Sequence, residues 1–271
     1  WAGAGVPWPQ LLLGLANNHS WDWGAQGAVE TMAELERQGI LHCGLRSVDT
    51  RASVAVREQH GLRIGVLAVT WGLNAPGADI GSSMQVEVEP DLLANEGVPS
   101  LTSVRRCVHA LQERHVDLVF ALVHWGHEFE CLPTAQQRTI AVELHALGVD
   151  VVCGSHSHVV QPAEVIEGED RETLVLYSVG NATTAMFTDA CRASVLVELR
   201  CWRDLSGRGR WAWAGADLLF NLFPGDLGPR RSLERIDTLL GDDLPPDLLR
   251  RLKSGRARLR TQLPAAGSGL P

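Results

Sequence analysis

The sequence predicts an α/β protein, and three observations lead to that fold class. Apolar runs of strand length alternate with segments of helical period through residue 154. Several of these runs are almost continuously apolar, which is typical of strands that are covered by helices on both faces. The sequence after residue 154 is rich in further strand-like runs. Together these observations indicate an α/β layer that passes into a second sheet.

The strands are predicted from β-rich apolar runs that are bounded by turn residues. These runs lie at residues 62–69, 117–124, 149–153, 174–179 and 193–199. Residues 72–99 form a long insertion rich in Gly, Pro, Asn and acidic residues, and they are expected to contain one further strand at 84–88.

Three helices are predicted from apolar residues at i, i+4 and i+7, which is the spacing of one helix face. These residues are Ala28, Met32 and Leu35; Val104, Val108 and Leu111; and Ile140, Leu144 and Leu147. The third helix is the best defined, because Thr134 and Gln137 form a capping box at its start. Gly148, and Gly39 after the first helix, stand where a left-handed C-terminal cap is favoured.

The domain organisation follows from the 271-residue length and from where the periodic pattern weakens. We predict one domain over residues 1–225 and a C-terminal extension over 226–271, with a short helix at 247–252. The sequence starts with Trp1 and reaches the apolar run 11–15 almost at once. We therefore interpret it as a fragment of a longer chain, whose upstream part would carry any membrane anchor.

Composition excludes several classes of function. Twenty-four Lys and Arg residues stand against thirty-two Asp and Glu residues, so the formal net charge of −8 argues against a general nucleic-acid-binding protein. No apolar run approaches the length of a membrane-spanning helix. The six cysteines are far apart, without a C-x-x-C pair, so neither a thiolate zinc site nor a dense disulfide framework is predicted.

Three histidine-bearing clusters follow predicted strands. They are Asn17-Asn18-His19, His124-Trp125-Gly126-His127-Glu128 and Gly154-Ser155-His156-Ser157-His158. Because active sites of α/β layers gather at strand ends, we expect these clusters to converge.

Neutral imidazoles and amide oxygens both bind first-row divalent metals. The sequence therefore predicts a metal site that is formed by Asn18, His124, His156 and His158. Any one of these residues alone would more often cap backbone groups in a loop, and the prediction depends on three separate strand ends carrying the same kind of ligand.

The residues that flank the clusters have alternative interpretations. Glu128 and Glu130 either orient ligand imidazoles through hydrogen bonds or are surface carboxylates. Trp21, Trp23 and Trp125 are expected to pack in the core more often than to form a rim around a substrate.

The clusters resemble those of a known family. Residues 15–40, 124–137, 154–165 and 176–184 are similar, in order and spacing, to the CapA family of capsule and poly-γ-glutamate biosynthesis proteins. The resemblance implies the calcineurin-like metallophosphoesterase fold, a four-layer α/β/β/α sandwich. The N-terminal strand or strands of that fold would precede Asn17, and this chain is expected to lack them.

The resemblance also implies which residues bind metal. Asn18, His124 and His156 match ligands of one divalent metal ion, and His158 matches a ligand of a second ion. The full-length parent would hold both ions as cofactors, with manganese, iron and zinc all open. Two further ligand blocks of the superfamily would lie upstream of this chain.

The remaining site residues are assigned in the same way. His19 matches the acid that protonates the leaving group. Asn181 matches a characteristic family position near the site. Glu128 is not assigned by the resemblance; from its place beside the His124 cluster it is a candidate for orienting the ligands or contacting the substrate.

Two functions stay open. The first is a dinuclear-metal hydrolase of phosphoesterase type, whose substrate would be a phosphoester or an anionic polymer. The second is a non-catalytic accessory or export module of the polyglutamate or capsule assembly machinery. In either case the resemblance implies a partner complex of capsule or polyglutamate synthesis and a membrane-associated or cell-surface location in bacteria. The net charge of −8 predicts no nucleic-acid partner.

Overall fold

The computed structural model describes residues 10–79, 81–93 and 99–264. The strands of this part are β1 (Leu12–Gly14), β2 (Leu41–Cys43), β3 (Leu45–Ser47), β4 (Val54–Gln59), β5 (Leu62–Thr70), β6 (Met84–Val86), β7 (Leu118–His124), β8 (Val151–Ser155), β9 (Ala163–Glu167), β10 (Glu172–Leu176), β11 (Ala193–Arg203), β12 (Gly209–Leu222) and β13 (Ser232–Arg235). The α-helices are α1 (Gly24–Arg37), α2 (Thr102–Gln112), α3 (Ala135–Leu147), α4 (Asp189–Arg192), α5 (Ile236–Leu239) and α6 (Pro246–Arg260), and a 3-10 turn covers Pro90–Leu92.

A six-stranded sheet in the order β4-β5-β7-β8-β10-β9 forms the centre of the fold. Strands β5, β7, β8 and β10 are parallel to one another, whereas β4 and β9 are antiparallel edge strands. Parallel strands direct their carboxyl ends to the same edge of a sheet. The register therefore places Thr70 beside His124, and His124 beside Ser155, at one edge of the sheet.

Helices α2 and α3 cover one face of the central sheet. Leu111 of α2 and Ile140 of α3 are fully buried in one cluster with Leu67 and Val123 of the sheet. The predicted capping box of Thr134 and Gln137 is present in α3. These contacts explain why the central strands are almost continuously apolar, since neither face is open to water.

A second strand layer covers the opposite face. Parallel strands β1 and β2 pack there so closely that a Cβ atom on Gly14 would lie 2.7 Å from the Leu122 side chain. Helix α1 connects these two strands and contacts β2. Because the other face of the pair meets the central sheet, α1 forms the outer layer. The predicted α/β class and its α/β/β/α order of layers are confirmed.

The antiparallel sheet β11-β12-β13 extends the second strand layer. Trp213 of β12 packs against Val151 and Leu174 of the central sheet. Further along the same sheet, Phe220 packs against α5 and α6. The end of α6 borders the central sheet, where the Ala163 N–H group donates to the Gln262 carbonyl at 2.7 Å.

The last helix differs from the expectation. Helix α6 spans Pro246–Arg260 rather than 247–252, because Leu248, Leu252 and Leu259 are all buried on one side of it. The division of the chain at residue 225 stays a prediction.

The six cysteines are free in the structure. No helix of the described residues is long and apolar enough to cross a membrane.

Candidate metal centre

Asn18, His124 and His156 come together at the carboxyl edge of the central sheet. His124 is the last residue of β7, His156 follows β8, and Asn18 lies in the loop after β1. The His124 Nε2 atom lies 2.9 Å from the Asn18 Oδ1 atom. The ring centroids of His124 and His156 are 4.6 Å apart. Side chains from three separate strand ends therefore surround one point.

Burial keeps the imidazoles of this group neutral. It lowers the pKa of His124 to about 3, and the neighbouring His156 lowers it further in the same direction. Burial also lowers the pKa of His156. Both rings consequently hold the form that binds metal ions.

Ser155 controls the orientation of His124. The Ser155 hydroxyl lies 2.9 Å from the His124 Nδ1 atom and turns the Nε2 atom toward Asn18. A hydroxyl group both donates and accepts hydrogen bonds, so it satisfies either neutral tautomer of the imidazole. The Nε2 atom can therefore give up its proton for a cation while the Nδ1 atom keeps a partner.

His158 lies beside this group, with its ring centroid 6.4 Å from that of His156. The Asn181 Oδ1 atom accepts from His158 Nδ1 at 2.9 Å. The Asn181 amide nitrogen donates to the carbonyls of His158 and Cys191, which fixes the direction of the amide. The other ring nitrogen of His158, Nε2, lies 3.5 Å from Glu128 Oε1.

Asn221 of β12 supports Asn181 from behind. Its buried side-chain amide donates to the Asn181 carbonyl at 3.3 Å and to the Arg192 carbonyl at 3.1 Å. No sequence pattern indicates this contact, since Asn221 is forty residues away from Asn181 along the chain. The second sheet therefore helps to hold the residue that orients His158.

His19 lies on the solvent side of Asn18 with 62% of its side chain exposed. Its Nδ1 atom is 2.6 Å from the Asp22 Oδ2 atom. The Asn74 side chain connects Asn18 with His19. Its Oδ1 atom accepts from the Asn18 amide at 2.9 Å, and its own amide nitrogen lies 3.1 Å from His19 Nδ1. The sequence prediction missed Asp22 and Asn74, although the spacing of three residues between His19 and Asp22 is compatible with one tight turn.

The donors available here fit one cation better than two. In residues 10–79, 81–93 and 99–264, no three His, Cys, Asp or Glu side chains form a metal site by themselves. Asn18 adds an amide oxygen to the neutral rings of His124 and His156, and this mixed set suits a divalent first-row ion. Within the described part of the chain, Glu128 is the carboxylate that pairs with His158, on the Nε2 side of the ring.

The backbone around the histidines is strained. His156 has φ = 96° and His158 has φ = 61°, which is the left-handed region that side chains other than glycine rarely adopt. Each such residue costs about 1–2 kcal/mol, so the surrounding contacts must hold it there. With this geometry the rings of the two histidines in one short loop lie 6.4 Å apart.

Gly154 is predicted to tolerate no side chain. An added Cβ atom would lie 2.0 Å from the Tyr177 carbonyl oxygen and 2.5 Å from Trp125 Nε1. We expect Gly154→Ala to lower the free energy of unfolding by about 1–3 kcal/mol, which urea denaturation will measure. Gly255→Ala is the matched control, since nothing lies near that position in α6, and it should raise the stability by about 0.5–1 kcal/mol. Equal effects of the two variants would contradict the close packing of β8.

The flanking tryptophans differ from one another. Trp125 is fully buried and donates from Nε1 to the Tyr177 carbonyl at 2.9 Å, so it belongs to the core. Trp23 is 88% exposed.

A separate cleft of about 670 Å³ lies at the opposite end of the sheets, between the turns at 168–172 and 204–210, and contains none of the predicted site residues.

Fold and site together define a class, namely layered α/β proteins with a histidine–asparagine cluster at the carboxyl edge of the central sheet. The sequence profile described as bacterial capsule synthesis protein PGA_cap matches residues 10–185, which is more than half of the chain. The chain therefore belongs to the PGA_cap family of bacterial capsule synthesis proteins.

Curated relatives agree with this assignment. The chain is 27% identical over 207 residues to the PGA biosynthesis protein CapA of Bacillus subtilis (strain 168), which covers 73% of the chain and 48% of that protein. It is 25% identical over 171 residues to the capsule biosynthesis protein CapA of Bacillus anthracis, covering 63% of the chain and 39% of the relative. A probable polyglutamine synthesis accessory protein of Mycobacterium tuberculosis is 27% identical over 184 residues, with coverages of 63% and 44%. The chain thus spans about half the length of these relatives or less.

Solved structures are more distant. A 5'-nucleotidase precursor from Thermus thermophilus aligns with a TM-score of 0.46 and 14% identity, covering 93% of this chain and 43% of the other. A hypothetical protein from the same organism aligns with a TM-score of 0.42 and 19% identity, with coverages of 86% and 77%.

Proposed function

We propose that this chain carries the catalytic part of a metal-dependent hydrolase of phosphoesterase type that acts in capsule or poly-γ-glutamate synthesis. One observation carries the proposal: Asn18 Oδ1 and His124 Nε2 face each other at 2.9 Å beside the buried ring of His156. Three neutral donors from three strand ends meet there. Two of them are histidines whose pKa values are lowered by burial.

Asn18, His124 and His156 would hold one divalent ion, with manganese, iron or zinc as the candidates. When bound, such an ion supplies a water molecule of lowered pKa and attracts the oxygens of an anionic ester. His158 would be a ligand of a second ion in the full-length parent. The hydrogen bond that His158 Nδ1 donates to Asn181 Oδ1 supports this role, because it leaves Nε2 as the ring nitrogen that would face the ion.

His19 would act as the general acid. The Asp22 carboxylate would accept a hydrogen bond from His19 Nδ1 at 2.6 Å, which holds the ring in place. The Nε2 atom would then donate the proton that a leaving oxygen needs. The exposure of His19 supports this role, since the group must reach a substrate that enters from solvent.

Glu128 and Asn181 would act on the site through His158. Asn181 fixes the tautomer of His158, and Glu128 lies on its open side at 3.5 Å. Groups that orient metal ligands in this way commonly change metal affinity 10–100-fold when they are removed. This is a more specific role than that of a surface carboxylate, which was the alternative for Glu128.

The substrate would be a phosphoester or a bond in an anionic polymer, and the partner would be a capsule or polyglutamate synthesis complex. The names of the Bacillus relatives support this pathway. The name of the Mycobacterium relative, an accessory protein, supports the alternative of a non-catalytic module. The pair of His19 and Asp22 favours the hydrolase, because binding alone does not need a general acid.

Metal content tests the proposed centre. We expect the purified chain to retain about one equivalent of manganese, iron or zinc, measured by elemental mass spectrometry, and the His156→Ala variant to lose most of it. The variant removes one of three donors, and the buried amide and imidazole that remain form an incomplete site. His109→Ala is the control, because His109 is exposed on α2, and its metal content should not change. Folded protein without metal in any of these samples would contradict the proposed centre in this chain.

A further inference from the structure

The loop of residues 125–134, between β7 and α3, carries exposed apolar side chains next to the histidine cluster. Phe129 is 55% exposed, and its ring stacks on His158 with a centroid distance of 5.9 Å and an interplanar angle of 29°. Leu132 of the same loop is 66% exposed. One face of the Phe129 ring thus lies against a proposed ligand, while more than half of the residue is in contact with solvent.

The structure holds this loop firmly. The Phe129 N–H group donates to the Ser157 carbonyl at 2.8 Å. The buried Gln161 side chain donates to the carbonyls of Glu130 and Leu132 at 2.8 and 3.3 Å. The exposure of Phe129 is therefore a fixed property of the fold and does not arise from an untethered loop.

Phe129 lowers the stability of the fold in this position, for two reasons. Its φ of 67° lies in the left-handed region, where a side chain of this size is strained. An aromatic ring left in water also forgoes the stabilisation that burial would supply. Strain that the surrounding contacts impose on an exposed residue beside a site is typical of residues that bind a ligand.

We propose that Phe129 is a specificity-determining residue which binds an apolar group of the substrate next to the bond that is cleaved. The inference rests on the proposed function and deepens it: the substrate class is an ester or polymer with an apolar, preferably planar, group beside the reacting centre, and not a compact polar anion. A planar group stacks on the free face of Phe129 while the anion beside it faces His124, His156 and His158.

Binding of two phosphonates that cannot be hydrolysed tests the inference. Phenylphosphonate and methylphosphonate carry the same anion and differ in the apolar group. We expect the wild-type protein with Mn²⁺ to bind phenylphosphonate about 10-fold more tightly in isothermal titration calorimetry. Phe129→Ala should bind the two equally, and Phe129→Tyr should keep most of the preference.

Controls separate the possible causes. Trp202→Ala removes an exposed aromatic ring at the far end of β11 and should leave the preference intact. Circular dichroism and unchanged Mn²⁺ affinity of Phe129→Ala would show that fold and metal site survive. Equal binding of both phosphonates by the wild-type protein would overturn the inference and leave the proposed function standing. Binding of Mn²⁺ without binding of either phosphonate would overturn both the inference and a phosphoester-type substrate.

Discussion

Replacing His19 with alanine is expected to lower kcat for an alkyl phosphodiester about 10²–10⁴-fold, because the leaving alkoxide then departs without a proton donor. The metal content should stay at the wild-type level, since His19 contacts Asp22 and Asn74 and is not among the three donors that meet at the centre. The loss should be much smaller for a p-nitrophenyl ester, whose leaving group needs little protonation. Steady-state kinetics with both esters measures this difference.

Asp22→Asn is the companion variant of His19→Ala. It keeps the size of the side chain but removes the carboxylate that lies 2.6 Å from His19 Nδ1 and holds the ring in place, so we expect a smaller loss of kcat in the same direction. An equal loss of kcat for the alkyl and the p-nitrophenyl ester in His19→Ala would contradict the role of His19 as an acid. Polymer binding that survives in His19→Ala, together with a wild-type protein that has no turnover, would instead favour the accessory module.

Arg192→Ala is expected to lower the free energy of unfolding by about 3–5 kcal/mol, a larger effect on stability than that of Gly154→Ala. Arg192 is only 4% exposed, pairs with Asp226 and donates from Nε to the Asn221 carbonyl at 2.8 Å. Its guanidinium also lies 4.6 and 4.3 Å from the ring centroids of Phe220 and Phe223. The variant leaves a cavity between the rings of Phe220 and Phe223 and removes the guanidinium that pairs with the Asp226 carboxylate.

Urea denaturation of Arg192→Ala and Arg250→Ala provides the comparison. Arg250 pairs with Asp247 on the surface, with 77% of its side chain exposed, so its removal should change the stability by less than about 0.5 kcal/mol. Arg251 lies 3.6 Å from Asp226 and still provides a positive charge beside that carboxylate in the variant. The loss of stability in Arg192→Ala is therefore expected toward the lower end of the range of about 3–5 kcal/mol. A loss below about 1 kcal/mol would show that the buried pair contributes little.

The central part of the fold was predictable because its signals are local. The strands β5, β7 and β8 are apolar runs between turn residues, and α3 has its capping box and Gly148 at its two ends. The short strands β2 and β3 have three residues each and carry no period of their own. Strand β12 was missed because Gly and Ala interrupt its alternation, and a register shift opposite Glu198 and Leu199 changes the pairing.

Only part of the candidate site was predictable from the sequence. Three histidine clusters after strands indicated the convergence of Asn18, His124 and His156, since strand ends of one sheet share an edge. Asn74 and Asn221 could not be found in this way. They are single polar residues whose importance comes from contacts with Asn18 and Asn181, which are 56 and 40 residues away in sequence.

The hydrogen bonds that hold Asn181 set a lower limit on the size of the working unit. The family profile ends at residue 185, yet the Asn181 amide needs the Cys191 carbonyl, and the Asn181 backbone needs Asn221. A protein shortened to the profile boundary would keep every histidine of the cluster and still release His158 from its fixed tautomer. The boundary that sequence comparison draws is therefore not a safe place to cut this protein, and the strands up to Leu222 have to be kept for the cluster to stay assembled.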